Sequence, residues 1–456
     1  MRRVVKVSRI RIVMTIIVVI FVTLLTGCTG KEPNEIAYVV ALGIDSTDDD
    51  NYKITIQYAN TTQISGGASE SGGKAGSEIV DNVTIEAPNI YAGVGLANNI
   101  VSKSFSMSHA KLIVFSKEVA EKGVKDMIET LVRSEEIRPD VFIAVANTTA
   151  NDYLTSVNPE MEVNPAQYYQ LIYQKNQLVG IPDGQLREFF TGLYTDNYDS
   201  ILPIAGVIEG SGGNSQNDDK GQSKDSQNEG SEGSSESLDS FESKSSNEKD
   251  ENEKEKDAEK NTSKYEYDIK NYIGGETTIE KKNKAEAIGA AVFEKDKMVG
   301  ELGEVETEIC KMLKGDYTYS YLTYYNNDTP DIPITVKTTQ QKKPKYKIDT
   351  DKKTVDIELY IESDLYSLPA DYNVENKIED FERDVANYTS SACTEFINNF
   401  TKKYNSDILK LNEKVKYKFL TNNQYNWFKK NVGWSEYKFS VCTNFKVRRT
   451  GLIVRE

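Results

Sequence analysis

Histidine is nearly absent from this chain: His109 is the only one in 456 residues. A Ser-His-Asp triad, a Cys-His pair with a choice of partners and a metal site built on several imidazoles are therefore excluded or confined to one position. Beside a short β run, a lone histidine reads as structural. Cysteine is scarce too: Cys28, Cys310, Cys393 and Cys442 lie far apart without CxxC spacing, so no disulfide framework is expected. The last three read as small buried apolar side chains. No GxGxxG, P-loop or HExxH pattern is present. Positive charge is in deficit, with 55 Lys and Arg against 71 Asp and Glu, a formal net charge of −16. Such a body is not drawn to nucleic acid or to anionic lipid. Long apolar runs are missing beyond the first 27 residues, so no later segment is a candidate membrane span.

The one apolar run, Ile12 to Leu25, follows five basic residues, Arg2, Arg3, Lys6, Arg9 and Arg11. It has the ~7–15 residue length of a secretory signal core and falls short of the ~20 needed to cross a bilayer. The run ends in Leu25-Thr26-Gly27-Cys28. A greasy residue and two small ones let a lipid-transferring enzyme reach the thiol and a peptidase cut just before it. Residues 1–27 are thus expected to be a lipoprotein signal peptide, with Cys28 the lipidated first residue of an exported, membrane-tethered protein. Two or more acyl chains give stable anchoring, each buried methylene contributing ~0.8 kcal/mol.

From Gly210 to about Lys264 the chain is Ser, Gly, Asn, Glu, Lys and Asp, with Leu238, Phe241 and Ala258 as its only apolar residues. It has too little to bury to offset the entropy of ordering and reads as an acidic, Ser-rich disordered linker, taken as 210–284. It divides the exported part into an N-terminal region, 28–209, and a C-terminal region, 285–456, in which 285–328 is a candidate small middle domain ahead of 329–456.

Both regions read as α+β, with mixed sheets and packed helices. In the first, Ile36 to Ile44 and the alternating Tyr52 to Tyr58 form a hairpin around turn residues 45–51, and strands follow at 79–86, 111–115 and 141–146. Helices are expected at 89–100, 117–133, 166–177 and 186–194. A closing strand, 201–209, carries Pro203 and so is expected at a sheet edge. In the second region a hairpin turns at Lys295 to Lys297, a short helix spans 304–313, and strands are expected at 317–325, 332–338, 345–348 and 354–361. The strongest helix runs from Val374 to Lys403, with Val374, Ile378, Phe381, Val385, Tyr388, Ala392, Phe396 and Phe400 three or four apart. A helix at 425–431 and a final strand at 437–447 close the chain.

Candidate chemistry is thin. Asp48-Asp49-Asp50 could ligate a hard cation, but the run sits where a hairpin must turn and lacks a calcium-loop spacing. Glu135 and Glu136 end a helix, where charges are commonly solvated. Tyr168, Tyr169 and Tyr173 share a helix and suit a groove or partner face less well than half-buried packing. Trp427 and Trp434 are expected to anchor the end of the second core. No catalytic residue, cofactor site or metal site is assigned, and the chain is not expected to be an enzyme.

The motifs also carry a resemblance. The lipobox at Leu25 to Cys28, Glu35-Ile36 and Val39-Val40-Ala41-Leu42-Gly43-Ile44-Asp45 resemble the start of the Ger(x)C or GerAC family, the C-subunit lipoproteins of bacterial spore germinant receptors. Ser108 to Phe115, Gly123 and Arg133 to Arg138 are similar to its strand, helix and charged turn. Gly289 to Phe293, Lys295 to Lys297 and Val299-Gly300 resemble its mid-chain hairpin, and Tyr404-Asn405-Ser406-Asp407-Ile408, Trp427 and Arg448-Arg449-Thr450-Gly451-Leu452 its ending. Two departures stand out: the acidic segment is longer than the family's usual connection, and Thr29-Gly30-Lys31 replaces the tryptophan that many members carry after the lipid cysteine.

The resemblance implies a non-catalytic subunit that assembles with two membrane-embedded partners, the A and B subunits, on the outer face of the inner spore membrane. There the complex senses nutrients and triggers germination. A solute-binding lipoprotein of a transporter is the alternative, although its repeated βα units should leave longer alternations of strand and helix. A surface hydrolase using carboxylates finds abundance of Asp and Glu without spacing.

Overall fold

The computed structural model describes residues 13–19, 35–49, 51–59, 80–158, 162, 164–174, 180–195, 197–208, 271–277, 283–326, 329–367 and 377–450. Cys28, most of the signal segment, residues 210–270 of the linker and 374–376 of the expected helix lie outside the described residues. Among these, the strands form two sheets.

The first sheet runs in the order β3-β2-β1-β5-β6-β7-β8-β9, with short β4 (Ser104–Ser106) beside β1. β1 (Ile36–Ser46), β2 (Tyr52–Ala59) and β3 (Val80–Ala87) form an antiparallel meander. β5 (Leu112–Ser116), β6 (Phe142–Ala146) and β7 (Ile201–Val207) run parallel to β1, and β8 (Ala285–Glu294) and β9 (Lys297–Leu302) close the sheet antiparallel. β5 and β6 are buried throughout and β7 nearly so, because helices cover both faces, as parallel strands require.

On one face lie α1 (Ile90–Ala97), α2 (Lys117–Lys122), α3 (Lys125–Val132) and α6 (Leu186–Thr195), packing Val94, Val119, Ile128, Leu131 and Phe189 on Leu42, Ile54, Ile113 and Ile143. On the other lie α4 (Ala150–Ser156) and α5 (Pro165–Gln174), packing Tyr153, Leu154, Tyr169 and Tyr173 on Ala41, Val114 and Ala144. A bulge between Val39 and Ala41 resets the alternation, so Val39 and Leu42 face the same core although three residues apart.

β8 and β9 follow the acidic segment in sequence yet finish the sheet begun before it. The C-terminal region drawn from residue 285 therefore starts inside the first sheet. Val207 pairs with Ala285, and the Ile208 N–H donates to the Lys284 carbonyl at 2.9 Å, so the two ends of the intervening stretch lie side by side.

Two local expectations are corrected, and one helix was not expected. The helix expected over 117–133 is two helices. Gly123, at φ +120°, ends α2, and the Val124 N–H turns aside to the Asp296 carbonyl in the β8–β9 turn at 3.0 Å. Pro203 is not at an edge: β7 lies between β6 and β8. The missing N–H is tolerated because register shifts between Pro203 and Ala205, and because the β6–β7 ladder begins only at Ile204. Short α4, which alternation did not reveal, is nucleated by tertiary contacts described below.

The second sheet orders β10 (Tyr319–Asn326), β11 (Thr329–Gln340), β13 (Thr354–Ser367) and β12 (Lys345–Asp349), with β14 (Lys438–Arg449) parallel to β13. A parallel neighbour needs a long crossover, and α8 (Ile378–Lys403) supplies it. Phe381 and Val385 pack with Tyr324 and Phe445, and Cys393, Phe396 and Phe400 join Val355, Ile357 and Phe439. That second cluster also takes in Ile201, Ala290, Val292 and Leu302 from the first sheet and Cys310 and Leu313 from α7 (Glu304–Lys314), so one apolar core bridges the sheets. Cys310 and Cys393 are buried as expected, but Cys442 is exposed, since on alternating β14 it falls between inward Val441 and Thr443.

Candidate functional site

The residues singled out for chemistry are scattered. Asp48 and Asp49 are exposed in the β1–β2 turn, and Asp50 lies outside the described residues. His109 is exposed and meets Tyr38 edge to face at 4.7 Å. Glu135 is exposed, whereas Glu136 accepts from the Met107 N–H at 2.7 Å and so ties its turn to the strand side. Tyr168, Tyr169 and Tyr173 are core residues: Tyr169 donates to Gln57 at 2.6 Å, and Tyr153 and Tyr173 share a hydrogen bond of 2.9 Å. Burial raises all three phenols well clear of ionisation at neutral pH. Among the described residues, no group of three His, Cys, Asp or Glu side chains is placed to hold a metal ion.

Two of the family-like motifs prove to be helix seats. On β1, the Asp45 carboxylate accepts from the N–H groups of Ala150 at 2.7 Å and Asn151 at 3.1 Å, capping α4 together with its own N-cap Thr149. Gly43, two residues earlier, leaves room for that helix: a Cβ there would stand 3.1 Å from Ala150 Cβ. Asp407 does the same for α9 (Leu411–Val415), whose formal N-cap, Lys410, adopts φ +57° and offers no side-chain cap. The two Asp407 oxygens accept from Leu411 and Asn412 N–H at 2.8 Å each.

Asp407 is also the hub of a joint between segments far apart in sequence. Its N–H donates to Asp199 Oδ2 at 2.8 Å, its carbonyl accepts from the Asp199 N–H at 3.2 Å, and Asp199 Oδ1 accepts from the Lys295 N–H at 2.8 Å. Ser406 Oγ donates to the Phe293 carbonyl at 2.8 Å, and Asn405 Nδ2 to Glu294 at 3.0 Å. The Tyr404 ring lies so close over Gly300 that a Cβ would stand 2.3 Å from it, which explains glycine in β9. Lys410 reaches Glu188 on α6 at 2.6 Å and sits 4.2 Å over the Tyr198 ring.

These contacts floor an open polar cleft of about 540 Å³ whose walls include Tyr198, Glu294, Tyr404, Asn412, Lys429 and Trp434. Burial pushes the Asp407 carboxyl up to about 7, with Asp199 nearby pushing the same way and the Asn412 and Leu411 N–H groups pulling down. A second carboxyl, Glu308 on α7, is also raised to about 7 by burial, accepting from Tyr317 at 3.2 Å. Sequence reasoning singled out Tyr404 to Asp407 but not Asp199, which reads as part of a polar turn 208 residues earlier. Nothing local marks the pair.

Trp434 is buried and its Nε1 donates to Asn412 Oδ1 at 3.2 Å, as a core anchor should. Trp427 is not an anchor. On α10 (Asn422–Asn431), Tyr425 and Phe428 face inward, which turns Trp427 outward at 64% exposure.

Comparison with known proteins matches two family models in order. Residues 30–207 match the spore germination protein N-terminal domain, and residues 288–451 match the spore germination B3/GerAC-like C-terminal domain. Spore germination protein KC of Bacillus subtilis (strain 168) is 27% identical over 173 residues, covering 35% of this chain and 42% of that protein. Spore germination protein B3 of the same organism is 26% identical over 148 residues, 30% of this chain and 36% of that protein. The aligned stretches thus span under half the length of these curated relatives. The crystal structure of the GerBC protein, 15% identical with a TM-score of 0.48, covers 89% of this chain and 96% of that one. With both domain models matched in order over most of its length, the chain belongs to the GerAC family of spore germination proteins.

Proposed function

We propose that this chain is the lipid-anchored C subunit of a nutrient germinant receptor, acting without catalysis in the receptor assembly and signalling that trigger spore germination. The observation that carries this reading is the ordered pair of family domains behind a Leu25-Thr26-Gly27-Cys28 lipobox. Cys28 would carry the diacylglycerol and acyl chains, placing the body on the outer face of the inner spore membrane. Among the described residues no helix is long and apolar enough to cross a membrane. The A and B membrane subunits are the partners.

The cleft at Asp199 and Asp407 suits such a role better than a reaction. Asp199 and Asp407 are occupied by backbone N–H groups and Glu294 by the Asn405 amide, and the joint locks the strand turn at Lys295 to the segment before α9. The proposal keeps residues 210–270 as the linker; residues 271–277, expected within a linker of 210–284, are instead seated on the fold, the Gly274 N–H donating to the Ile288 carbonyl at 2.9 Å and the Glu304 N–H to the Tyr272 carbonyl at 2.8 Å.

Co-purification from detergent-solubilised spore membranes tests this reading. Two polytopic subunits should be recovered with the tagged full chain, and deletion of its gene should abolish the response to at least one nutrient. Recovery with a transporter permease instead, and normal germination with every nutrient in a strain lacking paralogues, would overturn it.

A further inference from the structure

The corner around α10 breaks with the character of the rest of the chain. Outside the short N-terminal stretch, Leu420 at 94%, Tyr417 at 78% and Trp427 at 64% are three of the four most exposed large apolar side chains among the described residues, and they fall within eleven positions. Scattered apolar exposure is ordinary, but such a cluster is not. Leu420 is the sharper anomaly. It precedes the N-cap Thr421, where an apolar side chain normally folds back on the first turn as a staple. Phe419 takes that place instead, 5.9 Å from the Tyr425 ring and 4.9 Å from the Phe428 ring, and Leu420 is left pointing into solvent.

Charge reverses in the same place. Between 410 and 430 the sequence holds six lysines and one acid, Glu413, in a chain of net charge −16. Lys416, Lys418 and Lys430 are exposed beside the apolar residues, and Lys430 shares the outward side of α10 with Trp427, one helical turn away. Asp349 is the acidic neighbour of Lys418 from the second sheet, and the Lys418 ammonium places one of its three donors on the Ile348 carbonyl, while Lys416 lies 5.7 Å over the Tyr425 ring. With a screening length of about 8 Å at physiological salt, this local excess governs what the corner meets at close range, whatever the sign of the whole. Exposed Trp, Tyr and Leu set singly among lysines match the headgroup zone of a bilayer rather than a dry protein interface, where lysine is depleted.

We propose that the corner formed by residues 416–430 docks on an anionic phospholipid surface, with Leu420 and Trp427 entering the headgroup layer and Lys416, Lys418 and Lys430 meeting lipid phosphates. The proposal departs, locally, from the expectation that the body ignores anionic lipid. The proposal rests on the tethered reading only for the nearness of the bilayer, and the docking has its own readout. Docked in this way, the body would be held in one orientation rather than left to swing on its anchor.

Trp427 and Trp434 are the only two tryptophans, and Trp434 is buried, so the difference between the emission of the full chain and that of Trp427→Phe isolates Trp427. The full chain is reconstituted into phosphatidylcholine vesicles with or without phosphatidylglycerol, both carrying brominated acyl chains. The Trp427 signal should shift to the blue and be quenched at least twofold more in the anionic vesicles. Lys416→Gln with Lys418→Gln and Lys430→Gln, all at exposed positions, should remove that excess. Trp427 equally unquenched in both vesicle types, or quenching unaltered by the triple substitution, overturns the proposal, as would protection of Trp427 only by added receptor subunits. Flotation of the same samples reports the tether separately: protein that floats with Trp427 unquenched refutes the docking and leaves the anchor standing. Quenching in a Cys28→Ala chain supports docking even if the lipidated anchor is wrong.

Discussion

Replacing Asp407 with Asn isolates the joint that holds the C-terminal segment to the first sheet. Burial raises the folded carboxyl from 3.8 to about 7. The folded protein therefore holds a proton at pH values where the unfolded chain has released it, so this group's stabilisation is fully present below about pH 4 and is lost as pH rises to 7. Three pH units at 1.36 kcal/mol each set an upper limit of about 4 kcal/mol, of which about 2–3 kcal/mol falls between pH 5 and pH 8. Asn does not titrate, so that slope disappears. Its single amide oxygen can accept from Leu411 or Asn412 but not both, and an orphaned buried N–H costs about 1–3 kcal/mol at every pH. The Asn variant should be the less stable protein at pH 5, and the gap should close by about 2–3 kcal/mol at pH 8. Urea unfolding read by tryptophan emission suits the measurement, because Trp434 is bonded to Asn412 at the same joint. Titrating groups away from the joint are common to both proteins and cancel in the difference; Asp199 and Lys414, which feel the Asp407 charge, do not. A gap that stays constant from pH 5 to pH 8 would show that Asp407 does not titrate in this window.

Thiol reactivity checks the packing: in a Cys28→Ala chain at pH 8, one thiol, the exposed Cys442, should react quickly with a disulfide reagent. Cys310 and Cys393, whose buried thiols are pushed up to about 12, should react only after unfolding, and three fast thiols would contradict the bridging core. Gly206→Ala places a Cβ 2.0 Å from the Gly274 carbonyl carbon, a backbone contact that cannot yield, so it should cost more than about 3 kcal/mol in urea unfolding. An effect below 1 kcal/mol would mean that Gly274 does not pack against Gly206 of β7. Removing residues 214–260 should move the thermal midpoint by no more than about 2 °C, since the flanking strands already pair and loop length changes closure entropy slowly; a drop of 10 °C would refute the linker. Cys28→Ala should shift the protein from the detergent to the aqueous phase while the unfolding curve is kept, and persistent detergent partitioning would favour an uncleaved helix.

Much of the fold was legible because its signals are local. Alternation in Tyr52 to Tyr58, the apolar runs of β5 and β6 and the three-four spacing from Ile378 to Phe400 each follow from backbone geometry and the need to hide one face. The candidate site was half legible: Tyr404 to Asp407 stood out by resemblance, whereas its counterpart Asp199 carries no local mark, and the pairing exists only where the chain folds back on itself.

By itself the sequence determined the α+β composition, the position of nearly every long element and, through ordered motifs, the family. Those properties depend on residues within a few turns of one another. Only the tertiary structure decided that β8 and β9 complete a sheet begun before the acidic segment, that Pro203 lies inside that sheet, and that Trp427 faces out while Trp434 faces in. Each of these depends on which distant surface arrives to cover a strand or helix. A covering surface contributed from a hundred residues away leaves no periodicity in the segment it buries.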